Sequence, residues 1–143
     1  MSTHETDFYS WTQEQATLLR QGRLNELDCA NLIEEIEDMG WSEKRELINR
    51  LAVLLAHLLK WQYQPERPGN SWRFTVETQR KLTRKVLREN PSMKPLASES
   101  LTDAYDDARL IAMKETHLDP DTFPPACPWS LEQTLDNEFW PES

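Results

Sequence analysis

Leu51–Lys60, LAVLLAHLLK, is the stretch whose reading decides the fold. At 3.6 residues per turn its leucines, alanines and valine cover a helix nearly all round, so neighbours must surround it on every side. The apolar run is about nine residues long and is interrupted by His57, which is too short to span a bilayer. Upstream lies an acidic helix carrying Glu34, Glu35, Glu37 and Asp38, and downstream a basic one carrying Arg73, Arg80, Lys81, Arg84, Lys85 and Arg88. The chain has only three glycines, too few for many tight hairpins, and no alternating run of β-branched residues. The expectation is all-α: a compact helical bundle of about five main helices, with a proline-rich C-terminal wrap and a short last helix, in one domain over residues 1–143.

Working outward from that stretch, Asp7 caps a first helix to about Gln21. Its stripe is Phe8, Trp11, Leu18 and Leu19, and Gly22 stops it in the left-handed region. Asp28 caps a second helix, with Leu27 and Leu32 at the staple positions. Leu32, Ile33, Ile36 and Met39 face inward, Glu34, Glu37 and Asp38 outward, and Gly40 ends it. Ser42 starts a third helix that runs to about Tyr63, roughly 32 Å long. Pro65, Pro68 and Gly69 form a turn, and Asn70 or Ser71 caps a fourth helix to about Glu89, with Trp72, Val76, Leu82, Val86 and Leu87 toward the core. A fifth helix to about Glu115 carries the stripe Leu101, Ala104, Tyr105, Ala108, Ile111 and Ala112. Leu118–Trp129, LDPDTFPPACPW, holds four of the nine prolines and is a wrap that packs along the bundle. Ser130 with Gln133 is a capping box for a last short helix, and Phe139-Trp140-Pro141 is a hydrophobic lock.

The net charge of −9 conceals a pattern. Met1–Leu59 has five basic and eleven acidic residues, Lys60–Lys94 nine and three, and Pro95–Ser143 two and eleven. Those counts give −6, +6 and −9, so a basic middle lies between acidic ends. The segments can neutralise one another within the fold or between subunits, or simply form solvated helix faces. Cys29 and Cys127 form no CxxC pair and read as reduced packing residues of a cytoplasmic protein. The start, MSTHETDFYSW, has neither the basic nor the apolar region of a signal peptide.

Three groups of side chains are candidates for function. Glu34, Glu35 and Asp38 could meet His57 if the second and third helices packed antiparallel, as carboxylates and imidazoles meet in metal-binding bundles. The Glu-x-x-His spacing of such sites is absent, and the plainer reading is a buried, hydrogen-bonded histidine beside a solvated acidic face. Lys60, Trp61, Trp72 and Arg73 gather around one turn. Exposed, they would make a recognition patch; packed, a cation lies over an indole or bonds to Glu35, and the packed reading is favoured. Arg80, Lys81, Arg84 and Arg88, with Arg73, could track a phosphate backbone or dock an acidic surface of the same subunit or a partner. The acidic remainder of the chain disfavours nucleic acid. No nucleophile motif, glycine-rich phosphate loop or H-E-x-x-H is present, and Cys127 lies in an acidic, proline-flanked setting unlike that of a reactive thiol.

Several strings carry a resemblance: Asp7–Trp11 with Gln13, Leu32–Gly40, Leu54–Gln62, Ser71-Trp72-Arg73, and Ala104-Tyr105 with Ala108-Arg109. Thr122-Phe123-Pro124, Cys127-Pro128 and Phe139-Trp140-Pro141 complete it. Together they resemble the bacterial domain-of-unknown-function family 29, over nearly the whole chain. The resemblance implies a compact α-helical bundle and brings no activity, cofactor or catalytic residue. The leading functional expectation is a cytoplasmic, non-enzymatic interaction or regulatory module that binds a partner protein or a second copy of itself, with no cofactor, no metal and no membrane. The second is a metal-binding or hydrolytic bundle using Glu34, Glu35, Asp38 and His57; the third is nucleic-acid binding through the fourth helix.

Overall fold

A computed structural model describes residues 3–64 and 70–141. The described residues are all-α, with five helices: α1 (Phe8–Arg20), α2 (Cys29–Tyr63), α3 (Asn70–Glu89), α4 (Lys94–Thr116) and α5 (Leu131–Leu135). Short 3₁₀ turns lie at Leu24–Glu26, Pro91–Met93 and Pro120–Thr122. The last of these sits inside the proline-rich wrap, where no helix was expected. The turn expected at Pro65, Pro68 and Gly69 lies outside the described residues. So does the side chain of Asn70; α3 already includes Ser71, which is therefore not its cap.

The second and third expected helices are one. The chain stays helical from Cys29 to Tyr63, through Gly40 and Ser42. A glycine ends a helix only when it adopts a left-handed φ. Gly22 does so at +69°, and Gly40 does not. The internal contacts of the chain fall into two compact units, Met1–Ser42 and Glu43–Ser143, and α2 contributes to both.

In the first unit, the Asp7 carboxylate accepts the Ser10 N–H and caps α1. Trp11 and Gln15 are the only buried residues described in this unit. Leu32 is half-buried, while Ile33, Ile36 and Met39, expected to face inward, are 56%, 63% and 67% exposed. Phe8 and Leu19, expected on the apolar stripe of α1, are about half exposed, and Cys29, expected as packing, is exposed. The helical rhythm explains the expectation. Positions 33, 36 and 40 continue the register of Leu47, Leu51, Leu54 and Leu58, and only the later members of that series are covered.

The second unit holds the core. Leu47, Leu51, Leu54, Leu55, Leu58 and Leu59 of α2 are fully buried. They share one cluster with Val76 of α3, with Ala97, Ala104, Tyr105, Ala108 and Ala112 of α4, and with Phe123, Trp129 and Leu131 of the C-terminal segment. Alanines at four-residue steps on α4 leave room for the leucines of α2. The wrap is pinned from α4. The Tyr105 hydroxyl donates to Pro124 O at 2.7 Å, and Arg109 Nη2 donates to Pro120 O at 3.0 Å. The capping box at α5 is complete: Ser130 Oγ accepts the Gln133 N–H, and Gln133 Oε1 accepts the Ser130 N–H.

Replacing Leu55 by alanine should lower unfolding stability by about 2–5 kcal/mol, the range for a fully buried leucine. Urea titration checks this, and a change under about 0.5 kcal/mol would show that the core lies elsewhere.

Candidate functional site

The acidic string and His57 are not brought together. Their meeting required a turn at Gly40, and α2 has none there. Glu34, Glu35 and Asp38 lie in the first unit and His57 in the second. His57 Nδ1 donates to Val53 O, one turn back, at 2.9 Å. Burial pushes its pKa below the ordinary value; the Val53 carbonyl opposes that shift, Lys60 adds to it and Glu115 opposes it. The imidazole is therefore neutral at neutral pH. Glu35 instead accepts from His4 Nε2 at 2.6 Å. That pairing went unread in the sequence because a histidine four residues from the start reads as tail. Among the described residues, no group of three or more His, Cys, Asp or Glu is arranged to hold a metal ion.

Around His4 the first unit builds a polar network on one tryptophan. His4 meets Trp11 edge-on at 4.7 Å, and Phe8 stacks beside Trp11 at 5.7 Å. Trp11 Nε1 donates to Asp28 Oδ2 at 3.0 Å, and Asn31 Nδ2 donates to the same oxygen at 2.8 Å. The Asp28 N–H donates to Gln15 Oε1 at 2.8 Å. Bonds from Asn31 and Trp11 hold the Asp28 carboxyl below the usual carboxylate range. One side of α1, with Ser10, Gln13, Glu14 and Thr17, then borders a concavity of about 870 Å³ closed by Arg23, Glu26 and Asn31. The unit is thus tied by side-chain bonds, while its large apolar groups face outward.

The second group, Lys60, Trp61, Trp72 and Arg73, is packed within the second unit. Lys60 is 7% exposed, bonds to Glu115 and lies 5.3 Å over the Trp72 ring. Trp61 packs on Trp140, ring centres 4.5 Å apart, and Arg73 lies 5.2 Å over the same Trp140 ring. The predicted cation–indole contact is present.

The third group, the basic patch, is not one surface. Arg80 is fully buried, because it lies four residues from Val76 and three from Thr83 on the face that α3 turns inward. Its Nε donates to Thr134 O at 2.8 Å and its Nη2 to Phe139 O at 2.7 Å, while the guanidinium lies 5.1 Å from the Trp140 ring. Burial pushes the Arg80 pKa down, and Asp136 opposes that shift. Arg84 Nη1 donates to Leu135 O at 2.8 Å and to Asn137 Oδ1 at 3.0 Å. Two of the four patch residues therefore fasten the C-terminal segment, and Lys81 and Arg88 remain exposed. The expected lock at Phe139-Trp140-Pro141 is present, and Arg80 fastens it. Cys127 is half-buried; its thiol donates to Trp129 O at 3.3 Å, and burial raises its pKa, away from the thiolate.

The chain belongs to the family described as domain of unknown function DUF29, whose profile matches residues 3–140. No curated protein and no solved structure matches it. Among the described residues, no helix is long and apolar enough to cross a membrane.

Replacing Arg80 by methionine strands the carbonyls of Thr134 and Phe139 and should cost about 2–4 kcal/mol, with faster amide exchange over residues 131–140. Arg88→Ala, on the exposed side, should stay within about 0.5 kcal/mol. Unchanged exchange over 131–140 in the Arg80 variant would refute the clasp. A second expectation concerns pH. The folded-state pKa of His57 lies below its ordinary 6.5, so the unfolded chain takes up the proton first as pH falls. The stability His57 contributes is full above about pH 6.5 and declines below it. The urea midpoint should therefore fall more between pH 7.5 and 5.5 in the wild type than in His57→Asn.

Proposed function

We propose that this DUF29 chain is a non-enzymatic protein-interaction module acting in the cytoplasm, and that its docking surface is the apolar side of the first unit. One observation carries the reading. Of the ten large apolar side chains exposed among the described residues, eight lie in the first 42: Phe8, Tyr9, Leu19, Leu24, Ile33, Ile36, Met39 and Trp41. Among its described residues the same unit buries a single apolar side chain, Trp11. A unit near 40 residues with so little core lies below the size at which burial alone sustains a fold. Covering a bare isoleucine or methionine is worth about 1.5–3 kcal/mol, so a partner on this side has several such contributions to draw on.

The titratable groups support the same reading. The downward shift of His57 and the upward shifts of Tyr105, to about 12, and Cys127 are each caused first by burial, and each group bonds to a backbone carbonyl. They act as parts of the packing. The free state of both cysteines is consistent with a reducing compartment.

In native size-exclusion chromatography of host extract, the chain should elute well above the size of its monomer. The triple variant Ile33→Ser, Ile36→Ser, Met39→Ser should move to the monomer position with the circular dichroism of its helices retained. Elution of the wild type as a monomer in that extract would overturn the reading.

A further inference from the structure

We infer that the occupant of the apolar stripe on α2 is a second copy of this chain, presenting the outward face of α3. The inference rests on the docking role of the first unit and names its partner.

The stripe has an electrostatic signature. At 100° per residue, Ile33, Ile36 and Met39 fill one sector of α2, with Glu37 bordering the Ile33 side and Glu35 the Met39 side. The first 42 residues hold nine acidic side chains against two basic, a net −7. Two such stripes placed face to face would bring acidic rims together, which costs both association rate and affinity. The complement is an apolar anchor among cations, and the chain carries one. On α3, Phe74, Lys81, Lys85 and Arg88 share a sector about 60° wide. Phe74 is 69% exposed, and the three cations are exposed as well. α3 as a whole has six basic and two acidic residues, a net +4. Its other cations are engaged elsewhere: Arg80 and Arg84 by the C-terminal segment, and Arg73 by Glu77 and Trp140. Lys85 has only a 3.9 Å approach to Glu89. Lysine stems can lie along Ile36 and Met39 while their ammonium groups reach the glutamates at the rim.

The area favours a reciprocal pair. Ile33, Ile36 and Met39 expose on the order of 350 Å², less than half of the ~800 Å² per partner in a standard stable interface. When each copy lends both its stripe and its α3 face, the surface covered per copy comes close to that figure. A partner using the stripe alone would fall short of it.

The test is sedimentation equilibrium of the full chain at low and high salt, using charge reversals confined to exposed positions. The wild type should dimerise, with a Kd that weakens at least tenfold between 50 and 500 mM salt. Lys81→Glu with Lys85→Glu should weaken it at least tenfold at low salt, and Glu37→Lys, at the rim of the stripe, should weaken it as well. Combining all three reversals should restore most of the affinity. Urea midpoints matching the wild type establish that each variant is folded. A dimer indifferent to the α3 reversal would overturn the inference while leaving the docking surface intact, since the stripes would then pair with each other. A wild type that stays monomeric at low salt would also overturn it, and the elution position in host extract would then decide the docking role separately.

Discussion

A helix with leucine or alanine at nearly every position from 51 to 59 has no side to give to water, and the second unit is organised around that constraint. One flank of such a helix can be covered by an amphipathic neighbour, and two flanks by two. Here α3 and α4 supply Val76 and a line of alanines, and the C-terminal wrap supplies Phe123, Trp129 and Leu131. The wrap has too many prolines to form a helix of any length, so its backbone carbonyls need partners from outside it. Tyr105 and Arg109 of α4 meet that need, and Arg80 and Arg84 of α3 do the same for the carbonyls of Thr134, Leu135 and Phe139 that follow the wrap.

Much of this was readable beforehand. The leucine run, the Asp7 cap, the left-handed Gly22, the Ser130–Gln133 capping box and the alanine stripe of α4 each rest on local geometry that a sequence states directly. Gly40 was misread because a glycine is only permissive: it ends a helix if the following chain turns away, and here the helix continues. The inward placement of Ile33, Ile36 and Met39 failed for a related reason. Periodicity identifies an apolar sector, and it does not say whether the same chain supplies the cover. Arg80 was misread in the other direction. Its register with Val76 and Thr83 was visible, but its charge argued for the surface, and only the distant carbonyls of Thr134 and Phe139 explain its burial.

The two units therefore handle apolar surface differently. The second closes on itself and turns its cations inward to carbonyls and indoles. The first uses His4, Trp11, Gln15, Asp28 and Asn31 to fix its shape through polar bonds, leaving its largest apolar groups outside. A unit shaped by hydrogen bonds can keep a defined surface without a core to hide it, which is what a docking element requires.

The clasp on Trp140 also bears on how fast the protein folds. Helical bundles commonly fold in microseconds to milliseconds because most of their contacts join residues close in sequence. Here the last cover for the leucine helix arrives from far along the chain. Trp61 meets Trp140, and Arg80 bonds to the carbonyl of Phe139. Closing loops of that length carries an entropic cost before any contact offsets it. On a ribosome, the leucine run is made well before the segment that seals it, so nascent chains carry a bare apolar rod for several seconds at ~5–20 residues per second. The distance along the chain between Trp61 and Trp140 thus sets a period of exposure during synthesis that a more local bundle would avoid.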